Sequence, residues 1–490
     1  MARIAFIYPP LMHETFEENL KVVDEDFGCL PPLSLAYAAA LAEQAGHEAR
    51  IIDTNVLRLG LPEVERQLRE FRPHALAFTL STYMFHRTTA WMKALRASLG
   101  VPTIAGGINV QLYPEETIRT EGVDYGILHF GIAGFPALLK AIEEGRDPVG
   151  LPEVVALDPR GRMVIGPVDP QPNPYLALPL PARHLLPNHR YYSIISQRRN
   201  FTVMVTSTGC PARCRYCAIP SRPRYLNPVD RVIAEIRQCH DVHGIREIDF
   251  FDADFFADRR RARLICQRLI DEKLDIEWSC RASIGRFNED LLRLAQQSGC
   301  RAVYLGIETP EKEALVLLKK NVSPDQVREQ LQMMRRVGVR ALGFFMLGVP
   351  GETHASAART IRYALGLPID YAQFSRMIPK PGSDIHREHV EQTGSDYWRD
   401  LVGGRPVPPR APNPWSRISE EALENWTKLA YLAFYYRPSY ILKALARLRS
   451  TDEAWRSFRT MGRMLKAFAA PDRRSVIDPG PDTPQDARTP

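Results

Sequence analysis

The chain has 490 residues, 45% hydrophobic and 25% charged, with a formal net charge of +7. That length exceeds one ordinary domain, so two or three are expected, and the balance excludes a fibrous or wholly disordered protein. The positive charge is mild and its arginines are scattered, which does not favour a nucleic-acid partner; no apolar run has the length of a membrane span, and the first ten residues are too short in apolar character for a signal peptide.

Taken in order, residues 3–8 read as a strand, 33–45 as a helix stopping at Gly46, and 49–53 as a second strand. A helix over 62–71, a strand over 75–79 and a helix over 86–98 follow. The strand over 102–105 ends in Gly106 and Gly107; a helix over 115–121, a strand over 123–128 and a helix over 134–144 complete the segment. This alternation predicts a Rossmann-like, doubly wound parallel sheet over residues 1–145, with ligands bound beyond the carboxyl ends of its strands. Those ends carry Asp53, the Thr79–Thr82 run with Ser81 and Thr82, Gly106, Gly107 and His129. Two glycines without Cβ atoms let a bulky ligand approach the backbone, although a plain tight turn has the same composition.

Residues 146–200 are dense in proline, which forbids long regular elements, so an extended connector is expected, with a hairpin around Asp158–Gly161. From 201 the alternation resumes, with strands over 201–205, 247–251, 276–280, 302–307, 341–347 and 371–375. Helices over 229–243, 258–273, 288–298, 324–336 and 354–366 separate them. These units predict a partial (β/α)6 TIM-like barrel over 201–385, with its chemistry at the carboxyl ends of the strands. Asp252, Asp254, Arg281, Glu308, Gly348 and Arg376 stand there; each is equally a residue type that caps a helix or faces solvent. Residues 386–469 read as a helical C-terminal region, with helices over 419–436, 438–449 and 451–468. Residues 470–490, rich in Pro, Asp and Arg, read as a disordered tail.

The most informative segment follows the first barrel strand. Cys210, Cys214 and Cys217 form a Cys-x3-Cys-x2-Cys array. Three thiolates this close can each hold one iron of a 4Fe–4S cluster and leave the fourth iron open to a small molecule. A structural zinc site wants four ligands, and the nearest histidines, His184 and His189, precede the strand. The other five cysteines are scattered singly, as buried small hydrophobes are, so a reducing, cytoplasmic setting is expected.

The cysteine array resembles that of the radical S-adenosylmethionine (SAM) enzymes. The segments Leu30–Ala36, Ala105–Ile108 and Tyr113–Glu116 with Val123–Tyr125 resemble the cobalamin-binding domain that precedes many radical SAM barrels. The resemblance implies three cofactors: a 4Fe–4S cluster on Cys210, Cys214 and Cys217, SAM chelating the open iron, and cobalamin on the first domain. It implies reductive cleavage of SAM to methionine and a deoxyadenosyl radical. Tyr216 would offer adenine an aromatic or main-chain contact, and Glu308 would accept from ribose hydroxyls. Gly348 would admit adenine or methionine close to the backbone, Asp252 and Asp254 would contact ribose or the amino group, and Arg281 or Arg376 would pair with the methionine carboxylate. Two departures stand out: the Asp-x-His-x-x-Gly motif that supplies a histidine to cobalt is absent, and His129–Gly134 replaces the Gly-Glu-Gly-Glu of many relatives.

By the same resemblance, the expected reaction is methylation of an unactivated carbon of a small-molecule substrate, with one SAM cleaved reductively and a second remethylating cobalamin. A small redox protein such as a flavodoxin or ferredoxin is the expected electron donor. The alternatives are a cyclase or rearrangement enzyme similar to the anaerobic magnesium-protoporphyrin ester cyclase, and a non-catalytic cobalamin or iron–sulfur sensor. A methylthiotransferase needs three more cysteines in the first domain, where only Cys29 stands.

Overall fold

The structure is a computed structural model and describes residues 1–10, 28–168, 172–193, 195–198, 200–219, 223–447 and 462. Its strands are β1 (Arg3–Tyr8), β2 (Gly28–Cys29), β3 (Glu48–Asp53), β4 (Ala75–Thr79), β5 (Thr103–Gly106), β6 (Tyr125–Ile127), β7 (Val154–Leu157) and β8 (Met163–Ile165). They continue with β9 (Tyr192–Ser193), β10 (Phe201–Met204), β11 (Ser207–Thr208), β12 (Tyr225–Leu226), β13 (Glu247–Phe250), β14 (Glu277–Ala282), β15 (Cys300–Glu308), β16 (Arg340–Leu347) and β17 (Tyr371–Arg376).

The first sheet has the order β3-β1-β4-β5-β6-β7-β8, and its first five strands pair in parallel. Both faces are covered, so β1 is apolar without alternation. Ile4 and Phe6 pack with Leu35, Ala36 and Ala39 of the helix Leu33–Gln44, while Ala5 and Ile7 pack with Phe85, Met92 and Leu95 of the helix Phe85–Leu99. The doubly wound arrangement read from the alternation is therefore present. The hairpin expected around Asp158–Gly161 also forms: the Asp158 carboxylate accepts from the Arg160 and Arg162 amides, each at 2.9 Å. Its strands extend the sheet, β7 antiparallel to β6 and β8 antiparallel to β7, so the first sheet runs on to Ile165.

The second sheet, β10-β13-β14-β15-β16-β17, is parallel throughout, as a partial barrel requires. The connector is anchored to it by Arg183, whose side chain is fully buried. Its guanidinium donates to the Val203 carbonyl at 2.9 Å and to Glu235 at 2.8 Å. The edge strand β17 is covered by the helix Glu420–Tyr435, which blunts an exposed edge. Tyr431 accepts the Phe374 amide at 3.2 Å, and Tyr435 accepts the Ala372 amide at 3.1 Å and donates to the Ala372 carbonyl at 2.8 Å. A short helix, Tyr397–Val402, reaches back to the first unit, where Trp398 meets Tyr83 edge-on with ring centroids 5.1 Å apart. The helix expected over 438–449 is seen as Pro438–Arg447. That expected over 451–468 lies outside the described residues apart from Gly462, and the tail 470–490 lies wholly outside them. No helix among the described residues is long and apolar enough to cross a membrane.

Candidate active site

The cysteine loop leaves β10 and is pinned on two sides. The Arg215 amide donates to the Leu318 carbonyl at 3.1 Å, and the Ile385 amide donates to the Arg215 carbonyl at 3.2 Å. The Arg215 guanidinium reaches the Leu317 carbonyl at 2.9 Å and pairs with Glu388. Cys210, Cys214 and Cys217 are half-buried free thiols. Burial pushes the Cys210 and Cys214 thiols up, and the nearby Cys217 adds to both shifts. Among the described residues no group of three side chains is drawn into a closed metal-ligand geometry. The donor set nonetheless fits an iron–sulfur cluster with one open iron: three thiols on one tethered loop and no fourth protein ligand.

Glu308 ends β15 and is the most constrained acid nearby. It is buried, and its φ of 65° is left-handed, a region that costs a residue other than glycine about 1–3 kcal/mol. A bulge produces this turn: Gly306 pairs with Phe344 and Glu308 with Phe345, so Ile307 is left over. Glu308 Oε1 accepts from the Tyr216 hydroxyl at 2.8 Å and from Lys320 Nζ at 3.0 Å. Tyr216 is thus tied to Glu308, and its ring packs on Ala314, Leu318 and Met346. Lys320 is a site residue that the sequence did not point to. Its side chain is only 13% exposed, and its charge acts on Cys214 and Cys210.

Four other expected contacts are redirected. Asp252 is fully buried and accepts from the Thr206 amide and hydroxyl and from the Ser207 hydroxyl, each at 2.6 Å. It therefore orients the strand entering the cysteine loop. Arg281 pairs with Asp249 at 2.6 Å and stacks over Phe251 at 3.9 Å, and Arg376 pairs with Glu420 at 2.8 Å. Neither guanidinium stands clear for a methionine carboxylate. Gly348 has φ 80°, but a Cβ there would meet Asn413 Nδ2 at 2.6 Å and Leu423 Cδ1 at 3.0 Å. The glycine makes room for the C-terminal segment. Its amide donates to Glu352 at 2.9 Å, and burial pushes the Glu352 carboxyl up to about 7. Asp254 stays near the cluster loop: it is buried, meets Arg286 at 3.2 Å and raises the Cys210 thiol, while burial raises its own carboxyl.

In the first unit, a cavity of about 370 Å³ opens at the carboxyl ends of β4, β5 and β6 beside the helix Leu33–Gln44. Gly106, Gly107 and Thr79 line it, with Phe6, Ile104 and Phe135 as apolar walls and His129 exposed at its rim. Gly107 has φ 101°, and a Cβ would meet the Leu80 carbonyl at 2.7 Å, so only glycine fits this turn. Ser81 and Thr82 do not line the cavity, and Thr82 is buried. Val205 and Thr208, on the segment that enters the cysteine loop, complete the lining. Glycines at the floor and apolar walls suit part of a large, partly aromatic cofactor.

Comparison with known proteins agrees with this layout. Residues 204–364 match the Radical SAM superfamily and residues 20–139 the B12 binding domain. An uncharacterized methyltransferase of Pyrococcus horikoshii is 30% identical over 448 residues, covering 90% of this chain and 94% of that relative. The fold is similar to that of the cobalamin-dependent S-adenosylmethionine radical enzyme OxsB with aqua-cobalamin bound: TM-score 0.70, 13% identity, 98% of this chain and 74% of that one. It is also similar to the radical S-adenosylmethionine methyltransferase TsrM of Kitasatospora setae with cobalamin and a [4Fe-4S] cluster bound: TM-score 0.66, 17% identity, 96% of this chain and 99% of that one. The chain belongs to the radical SAM superfamily, as an enzyme that also carries a B12 binding domain, and its cofactors are a 4Fe–4S cluster, SAM and cobalamin.

Proposed function

We propose that this enzyme methylates an unactivated carbon of a small-molecule substrate. One observation carries the reading. Val205 and Thr208, at the entrance to the cysteine loop, share a cavity with Gly106 and Gly107 of the first sheet. A group held on those glycines is next to the segment that leads to the cluster. When bound, the cluster and SAM supply a deoxyadenosyl radical, and cobalamin supplies a methyl group. Cys210, Cys214 and Cys217 would hold three irons, and Asp252 fixes the strand that leads to them. Glu308 takes both its hydrogen bonds on Oε1, which leaves Oε2 for a ligand hydroxyl. Asp254, buried near Cys210, would contact the ribose or amino group of SAM. The cavity's apolar walls suit the aromatic base of cobalamin better than the amide-fringed corrin. The methyltransferase relative supports methyl transfer over cyclisation. A flavodoxin or ferredoxin supplies the electron, and the free thiols suit a cytoplasmic setting.

The test uses the reconstituted enzyme with methyl-deuterated SAM, a chemical reductant and a small-molecule extract. Methyl transfer yields S-adenosylhomocysteine and deoxyadenosine in equal amounts, and a product heavier by one labelled methyl. Deoxyadenosine without S-adenosylhomocysteine sinks the proposal in favour of a cyclase-like reaction. No cleavage of SAM at all would leave a sensor.

A further inference from the structure

Lys320 is held in place by the fold, not merely near the cluster loop. It follows the helix Lys312–Leu317, and its amide donates to the Leu315 carbonyl at 2.8 Å. The carbonyls of Leu317 and Leu318 just before it take the Arg215 guanidinium and amide, so the segment bearing Lys320 and the loop bearing Cys214 are bound to each other. Its ammonium is directed inward. Nζ meets Glu308 Oε1 at 3.0 Å, and the side chain is 13% exposed. Gly306 makes the space: a Cβ there would lie 2.6 Å from Glu308 Oε1 and 2.7 Å from Lys320 Nζ.

A lysine does not bury its charge without a reason, because desolvation opposes it. Glu308 offsets part of that cost. The same Glu308 oxygen takes the Tyr216 hydroxyl, and Tyr216 lies between Cys214 and Cys217, so the Lys320 ammonium is held against the cysteine loop. The other charged groups facing the array are Asp254 and Arg286 near Cys210. Three thiolates concentrate negative charge on this loop, and each electron added to a cluster they hold adds more. A fixed cation in a low-dielectric site stabilises the more negative state.

We propose that Lys320 is a charge-balancing residue that eases one-electron reduction of the cluster held by Cys210, Cys214 and Cys217. Glu308 and Gly306 place it, and it touches neither substrate nor the reacting carbon. The inference rests on those thiols being the cluster ligands, as the proposed function also assumes. It does not rest on methyl transfer, and its readout is a potential measured without SAM or substrate.

The experiment is a redox titration of the reconstituted full-length enzyme, following the reduced cluster by electron paramagnetic resonance. Lys320→Met and Lys320→Gln remove the charge and keep much of the stem. Each is expected to disfavour reduction about tenfold, a shift of about 59 mV to more negative potential for one electron. Lys320→Arg keeps the charge and is expected to stay within threefold of the parent. If both neutral variants lose iron while Lys320→Arg retains it, the charge requirement is met in a stronger form. An unchanged potential in either neutral variant that holds its full complement of iron overturns the proposal, whatever the enzyme does with substrate. Equal loss of iron in all three variants, arginine included, also overturns it, because packing rather than charge would then be the requirement.

Discussion

Glu308 shows how much one residue carries. Its left-handed backbone, its hydrogen bonds to Tyr216 and Lys320 and its place beside the cluster loop are all strained or buried features in one spot. Strain of this kind persists where the surroundings over-determine it, and it gathers at functional sites. Glu352 is the contrasting acid. Burial raises its carboxyl from 4.5 to about 7, although it accepts from the Gly348 amide and from Ser356. Between those two values the folded state binds the proton more readily than the unfolded chain. Its contribution is therefore full below about pH 4.5, falls as pH rises to about 7, and is level above. Glu352→Gln removes this dependence. Relative to the parent, the variant is expected to gain roughly 2–3 kcal/mol between pH 5 and pH 8. Denaturant unfolding at the two pH values measures it, and parallel pH profiles for the two proteins would refute the assignment.

At the scale of elements, the turn after β16 has a structural role that the sequence did not show. A glycine at a barrel-strand end suggests a close-approaching cofactor, yet Gly348 is packed by Asn413 and Leu423, which lie far along the chain. Asn413 also binds the Gly348 and Met377 carbonyls, at 2.6 and 3.0 Å, and so closes the ends of β16 and β17 together. Gly348→Ala is expected to cost about 2–3 kcal/mol, from the left-handed backbone and the overpacked Cβ. The cost appears in chemical unfolding of the apo protein. SAM affinity that falls while stability holds would restore the cofactor reading. The helix Lys312–Leu317 was not legible in the sequence for a different reason. Six residues are too few to show a helical period, so the element that delivers Lys320 gave no signal. The bulge at Ile307 was equally hidden, since a single extra residue leaves the apolar pattern of β15 intact.

For the whole molecule, the two sheets carry separate parts of the candidate site. The cluster loop depends on β10 and β13, the cavity glycines on β4 and β5, and the buried Arg183 ties the connector to the barrel. Cofactor loading should therefore be separable. Replacing Cys210, Cys214 and Cys217 together by Ala is expected to remove about four irons per chain and to abolish SAM cleavage, with cobalamin binding retained. Gly107→Leu, which forces a side chain against the Leu80 carbonyl, is expected to lower cobalamin affinity at least tenfold and to leave iron content unchanged. Iron analysis and the cobalamin absorption spectrum of the two variants check this. Cobalamin lost from the cysteine variant, or SAM cleavage retained in it, contradicts the division.

The sequence alone determined the parallel strands of both sheets, because fully covered strands read as apolar runs separated by amphipathic helices. It also determined the cluster chemistry, because Cys210, Cys214 and Cys217 lie within eight residues of one another and need no folding to be counted together. What only the tertiary structure decided is which charged groups face which. Asp252, Arg281 and Arg376 stand at the predicted strand ends, yet each is turned to a partner brought by a different segment: Thr206, Asp249 and Glu420. Lys320 reaches Glu308 and Cys214 only through a helix end and a bulge. Strand periodicity reports whether a residue points in or out of a sheet; it carries no information about the long-range ion pair that will take up its charge.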